Sequence, residues 1–182
     1  MSSPSPRIAR NGYGIDYAVG RCSLGAVLVA GGAGGVCAIA LCDDAERLVN
    51  QFRLQFRDAE IGEGNADCAD WLQQTLAFIE QPAAGLALPL DLRGTLFQRR
   101  VWQVLREIPL GATLNYRAIA GRIGEERSVR AAASACAANP LAFAVPCHRA
   151  VRSDGKLAGY RWGIERKAEL LKREREALAV SR

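Results

Sequence analysis

The stretch Ser128–Asn139 constrains the fold more than any other: six of its residues are alanine, Arg130 is its only charge, and Pro140 follows at once. Alanine favours helix, Ser128 is a good N-cap residue, and the Asn-Pro step stops the helix. Just before it, Asn115 can cap a shorter helix that turns Ile119, Ala120 and Ile123 inward and halts at Gly124. Helix, glycine-containing turn, helix is the outline of a helix-turn-helix, although many helical hairpins share the spacing. Small side chains let a backbone approach a groove wall closely, while one long cation can reach into a base stack. A tight protein core uses alanine equally well. The pattern alone leaves both readings open.

Charge gives the choice a direction. Residues 1–92 hold six Lys and Arg against eleven Asp and Glu, a net of −5, and residues 93–182 hold eighteen against eight, a net of +10. A basic half joined to an acidic half points the second half toward a polyanion, though a basic solvated surface would read the same. With 49% hydrophobic and 24% charged residues, the chain has the composition of an ordinary globular protein. No apolar run is long enough to span a bilayer. The start, residues 1–6, lacks the cationic and apolar segments of an export signal. A cytoplasmic protein with a short frayed arm is therefore expected. Its cysteines, at 22, 37, 42, 68, 136 and 147, should stay reduced there. Only Cys37 and Cys42 approach zinc-ligand spacing and there is one histidine, so no metal is expected.

In the first half, Ile15–Val19, Gly25–Ala30 and Val36–Leu41 read as short strands, with the glycines of residues 31–35 as a hairpin connection. Asp43 and Asp44 offer an N-cap for a helix to about Phe56, and a second helix fits Asp67–Glu80. This part reads as scaffold. Gln81–Leu92 reads as a connector, and a helix from Gly94-Thr95 to Ile108 follows, with Val101, Trp102 and Leu105 on its buried stripe.

Val145-Pro-Cys-His-Arg149 is the chemical candidate. Leu141–Val145 reads as a buried strand, which Pro146 ends, so that Cys147 emerges where core meets surface. A thiol with a pKa near 8.5 is a poor nucleophile at about neutral pH and needs a base. His148 is the only imidazole. Neighbouring side chains diverge on strand and helix alike, so a bridging water is the expected route for the proton. A base needs an orienting partner. In the last helix, Ile164–Ala179, Glu174 interrupts the apolar stripe of Leu170, Leu171 and Leu178. A carboxylate in such a place must be paired or protonated, and holding His148 would satisfy it.

Through Arg130, Ser134–Asn139, Pro146-Cys-His-Arg149 and Gly159-Tyr-Arg-Trp-Gly163, in that order and spacing, the chain resembles the O6-alkylguanine-DNA alkyltransferases, with its strongest likeness to the transferase portion of the bacterial adaptive-response protein. The likeness runs from about Tyr13 to Glu176. It implies that Cys147 accepts the alkyl group, activated through water by His148 with Glu174 behind it. It implies that Asn139 fixes the turn presenting Cys147 and that Tyr116 donates a proton to the departing guanine. Arg130 would fill the gap left by a flipped nucleotide, and Arg117 and Ser153 would contact phosphates. Tyr160 and Arg161 would wall the base pocket, with the Arg161 backbone N–H near O6. Trp162, where some relatives have glycine, would exclude bulky alkyl groups.

The fold class expected with this likeness is α+β. A ribonuclease H-like sheet-plus-helices domain (1–92) would precede a winged-helix-like domain with a helix-turn-helix (93–182). The partner would be double-stranded DNA carrying O6-alkylguanine, bound by a monomer without cofactor. The zinc site of the human relative has no counterpart here. Nor does the Cys-rich regulatory domain of the adaptive-response protein, which leaves a transcriptional role open. Two other readings stay open: a DNA-binding sensor whose Cys147 reports alkylation or oxidation, and a thiol hydrolase using Cys147 and His148, for which no oxyanion-hole signature is visible.

Overall fold

The computed structural model describes residues 14–180, so the N-terminal arm and Tyr13 lie outside the described residues. Strands β1 (Gly14–Cys22), β2 (Gly25–Gly32) and β3 (Gly35–Cys42) follow one another as antiparallel hairpins. Gly35 has φ 105°, a conformation that favours glycine, and its Cα faces the Pro89 carbonyl too closely for a Cβ. Helix α1 (Ala45–Gln55) is capped by Asp44, whose side chain accepts the Glu46 and Arg47 N–H groups. A strand that the sequence pattern did not announce, β4 (Glu60–Glu63), pairs parallel to β1 and completes the order β3-β2-β1-β4. Helix α2 (Ala66–Glu80) follows, capped by Asn65.

The uninterrupted apolar run of β2, Ala26 to Ala30, is fully buried because the strand is interior to the sheet and covered on both faces. Alternation sends Ala26, Leu28 and Ala30 toward Ile15, Tyr17, Leu48 and Phe52, on the α1 side. It sends Val27 and Val29 to the opposite side, into one core shared with Leu72, Phe78 and Ile79 of α2 and with the C-terminal half. Each such aliphatic or aromatic side chain contributes about 1.5–3 kcal/mol when buried. This second face is where the C-terminal half packs.

The connector passes through a 3-10 turn (Pro82–Ala84) into an extended stretch that bridges β3 between Val36 and Leu90. Helix α3 (Leu96–Arg106) starts at a capping box of Thr95 and Gln98, and buries Val101, Trp102 and Leu105. Ile108 is buried just beyond its end rather than on it. Strand β5 (Leu114–Asn115) leads into α4 (Tyr116–Arg122), with Asn115 as N-cap. Gly124, φ 73°, turns the chain toward α5 (Val129–Ala137). Ser128 takes the N-cap position of α5, but its φ and ψ of −93° and 30° are not extended and its hydroxyl makes no cap hydrogen bond. Helix α6 (Ile164–Val180) closes the fold.

The alanine helix places small side chains on two faces, one in the core and one open to solvent. Ala132, Ala135 and Cys136 are buried, and the Trp102 indole N–H donates to the Ala135 carbonyl at 2.8 Å. Arg130, Ala131, Ser134, Ala137 and Ala138 form an exposed face with a single long side chain. Among the described residues no helix is long and apolar enough to cross a membrane.

Candidate active site at Cys147

Residues 141–145 are not the strand that their apolar run suggests. Leu141 makes one isolated bridge to Ile39 of β3, and the chain then turns tightly through Phe143, whose φ is 65°. A bulky residue in the left-handed region costs about 1–3 kcal/mol. Two things hold it there. The Phe143 ring packs against Phe78, centroids 6.2 Å apart. Asn139, fully buried, does the work of a partner strand: its Nδ2 donates to the Val145 and Leu141 carbonyls at 2.8 and 3.2 Å, and its Oδ1 accepts the Leu141 N–H at 2.9 Å. The turn delivers Cys147 to the first position of a 3-10 turn (Cys147–Arg149), which runs into strand β6 (Ala150–Val151), paired with β5.

Asn139 Nδ2 also donates to Cys147 Sγ at 3.2 Å. The cysteine is only 4% exposed. Burial pushes its thiol up to about 11, against the Asn139 hydrogen bond and the Lys167 and Arg161 charges, which pull it down. At pH 7 such a group is ionised to roughly one part in 10⁴. The resting site therefore stores a thiol, not a thiolate.

His148 is fully buried, with Nε2 2.7 Å from Glu174 Oε1. Burial lowers the imidazole pKa, outweighing the attraction of Glu174. Burial works the other way on Glu174, but hydrogen bonds from His148 and Arg149 prevail and hold its carboxyl at about 2. The pair is thus a neutral imidazole beside a carboxylate. Nε2 carries the proton and donates it, and Nδ1 keeps its lone pair. That Nδ1 is buried without a protein partner.

Beside it stands Tyr160, its ring edge-on to His148 with centroids 6.5 Å apart, and its hydroxyl also buried and unpartnered. Trp162 meets Tyr160 edge-on at 5.1 Å. The Arg161 side chain donates to Gln55 Oε1 at 2.9 Å. Arg161 and Trp162 line a cavity of about 620 Å³ against α1. A separate groove of about 700 Å³ brings together Tyr116, Arg130 and Ser153 with Val129, Arg152, Asp154 and Ala158. Burial pushes the Tyr116 phenol up to about 12, so it stays protonated at neutral pH. Arg117 is exposed on α4 and lies outside the lining of that groove.

Sequence reasoning passed over two buried cations. Arg149 pairs with Glu174, Nη2 to Oε1 2.9 Å. Lys167 is fully buried and donates to the Ala150 carbonyl at 2.5 Å. A signal existed for the lysine: it lies three, four and seven residues before Leu170, Leu171 and Glu174, on the same helical stripe. Leu178, counted on that stripe, is 41% exposed because the last turn of α6 runs past the core. Among the described residues no group of three His, Cys, Asp or Glu side chains is arranged to hold a metal ion.

Residues 96–176 match the family described as 6-O-methylguanine DNA methyltransferase, DNA binding domain. The bifunctional transcriptional activator/DNA repair enzyme Ada of Escherichia coli (strain K12) is 45% identical over 176 residues, 97% of this chain and 50% of Ada. The chain thus spans about half the length of the Ada relatives that it matches. The methylated-DNA–protein-cysteine methyltransferase of Mycolicibacterium paratuberculosis is 44% identical over 115 residues, 58% of this chain and 70% of that one. The crystal structure of Mycobacterium tuberculosis OGT in complex with DNA matches with a TM-score of 0.76 at 31% identity, over 89% of this chain and 94% of that one. Sequence and fold agree across both halves, and the chain belongs to the methylated-DNA–protein-cysteine methyltransferase family.

Proposed function

We propose that this protein repairs DNA by moving an alkyl group, methyl foremost, from O6 of guanine onto Cys147 Sγ, once per molecule. The observation that carries the reading is a buried thiol that accepts from the Asn139 amide, one residue before a buried neutral imidazole whose Nδ1 has no protein partner and is free to accept a proton. The thiol proton passes through a bridging water to Nδ1, and Glu174 stabilises the imidazolium that forms. The thiolate attacks the alkyl carbon, the C–S bond forms as the C–O6 bond breaks, and the electron pair returns to the guanine. Tyr116 donates to the departing base and recovers its proton from the relay, so the guanine gains the one proton that the thiol lost. A thioether has no good leaving group, so the protein is consumed.

An O6-alkyl group is inaccessible in a stacked pair, so the nucleotide must leave the duplex, at a cost of about a few kcal/mol. The exposed face of α5 and the groove shared by Tyr116, Arg130 and Ser153 fit that step. Small residues let the helix approach the DNA, Arg130 fills the vacated stack, and Ser153 and Arg117 hold backbone phosphates. Tyr160 and the Arg161 backbone wall the base pocket. We infer the finer architecture in the same terms. Residues 1–92 form a ribonuclease H-like scaffold and 93–182 a winged-helix-like unit whose helix-turn-helix is α4–α5, acting as a monomer.

The test is direct. Mixed with duplex DNA containing O6-methylguanine, the protein is expected to restore guanine and gain a single methyl on the peptide bearing Cys147. Lesion DNA recovered intact beside unmodified protein would end the reading. Lesion duplex bound tightly yet recovered intact, with Cys147 unmodified, would favour a sensor. Arg130→Ala is expected to slow single-turnover repair about tenfold or more, since roughly 1.4 kcal/mol of the flipping cost corresponds to that factor; unchanged rates would remove Arg130 from the mechanism. Trp162 packs on Tyr160 where a larger alkyl group would extend. Trp162→Gly should therefore raise the benzyl-to-methyl rate ratio, and equal rates for both substrates in the unmodified protein would refute its gating role.

A further inference from the structure

Glu174 is compensated more heavily than the orientation of one imidazole requires. Arg149 Nε donates to Oε1 and Oε2, both at 3.1 Å, and Nη2 to Oε1 at 2.9 Å. Its Nη1 donates to the Ile108 carbonyl at 2.6 Å, which anchors the guanidinium beyond the end of α3. The Gly111 N–H adds a further donor to Oε2 at 3.0 Å. The two side chains are 9% and 1% exposed. A charge pair so placed is screened little by solvent.

Consider the same site without the guanidinium. A buried carboxylate facing only His148 would draw a second proton onto the imidazole, because an ion pair is the cheapest way to hold that charge. An imidazolium has no lone pair at Nδ1 and cannot take a proton from Cys147. We propose that Arg149 is a positioning residue that supplies the countercharge of Glu174 and thereby keeps His148 a neutral base with its proton on Nε2. The purpose of this arrangement rests on the alkyl-transfer reading; its physics does not.

The groups that face His148 are few. From α6 come Glu174 and Lys167, from its own turn Cys147 and Arg149, and from the pocket loop Tyr160. Tyr160 and Cys147 are neutral, both pushed upward by burial. Lys167 acts on the imidazole in the same sense as Arg149, but its ammonium is held by the Ala150 carbonyl. Arg149 alone both touches Glu174 and carries charge.

His148 is the chain's one histidine, so its ring ¹⁵N signals can be followed by NMR in the intact protein without ambiguity. The experiment titrates them in the wild type, Arg149→Met and Arg149→Lys, and measures single-turnover methyl transfer across the same pH range. The wild type is expected to show a neutral Nε2–H ring from about pH 6.5 upward. In Arg149→Met the histidine pKa should rise by about one unit or more. Transfer should then fall, by up to about tenfold at pH values below the wild-type transition, and the deficit should shrink as pH rises past the new pKa. Arg149→Lys loses the two-point contact with Glu174 but keeps the charge beside it, and should stay within about half a unit of the wild type, with most of the rate restored. A folded Arg149→Met protein with an unshifted histidine overturns the proposal. So does an Arg149→Lys protein that titrates like the wild type yet is tenfold slower at every pH, for that would make Arg149 a geometric strut. If Arg149→Met does not fold, Arg149→Lys decides: a shift above about one unit despite the retained charge is the overturning result. A wild type that titrates as expected but transfers no methyl would defeat the repair reading and leave this one standing.

Discussion

Cys147→Ala is expected to abolish alkyl transfer, with the rate at least about 10⁴-fold down, while binding to lesion-bearing duplex stays within about threefold. The two outcomes separate because the thiol and the DNA-facing surface are different parts of the molecule. Cys147 is 4% exposed and touches Asn139, whereas Arg130, Ser153 and Tyr116 line their own groove. Removing the sulfur should cost little in stability, roughly 1 kcal/mol for a small buried group, because Asn139 keeps its bonds to the Leu141 and Val145 carbonyls. Mass spectrometry of the protein and fluorescence anisotropy with the lesion duplex measure the two quantities. If transfer and affinity disappear together, the cysteine holds the fold rather than performs the chemistry.

What was legible in the sequence divides along physical lines. Local signals held where a short stretch decides its own structure. Asp44 and Asn115 cap the helices expected of them, and the short runs read as strands at Gly25–Ala30 and Val36–Leu41 fall within β2 and β3. The contact between His148 and Glu174 was readable because a carboxylate on an apolar helical stripe must find a partner, and a single histidine was available. Stretches whose conformation is set from elsewhere were not readable. Leu141–Val145 has the apolar content of a strand, yet Asn139 takes up its carbonyls and Phe78 takes its aromatic ring, so it folds as a turn. Strand β4 offers one isoleucine as pattern and exists because β1 presents an open edge. Arg149 sat beside the two residues that drew attention, and its role depends on the end of α3 and on α6, which no local pattern brings together. The boundary at 92/93 follows charge and composition, whereas the core runs across it from β2 and β3 into α3 and α5.

Glu174→Gln should be the most damaging isosteric change in the molecule. The amide can still accept from His148 and keeps nearly the same volume, so packing is preserved, but Arg149 is left as a buried cation without its counter-ion. Breaking one side of a buried pair costs about 3–5 kcal/mol, which for a chain of this size lowers Tm by roughly 6–20 °C. Transfer should slow about 10²–10³-fold, the range typical for a general base that has lost its orientation and the stabilisation of its charged form. The pH dependence carries the signature. Glu174 titrates at about 2 in the folded chain and near 4.3 unfolded, so the folded state binds fewer protons between those values. Its stabilisation is therefore complete above about pH 4.3 and is lost as pH falls toward 2. His148, also lowered on folding, adds a second loss that begins as pH drops below about 6.5. Thermal or urea unfolding followed from pH 7 to pH 3 should show both limbs in the wild type. In Glu174→Gln the lower limb should disappear, and the variant should be less stable than the wild type at pH 7 by the full amount while the two converge toward pH 3. Parallel stability curves over that whole range would mean that Glu174 is not the charge that Arg149 and His148 are built around.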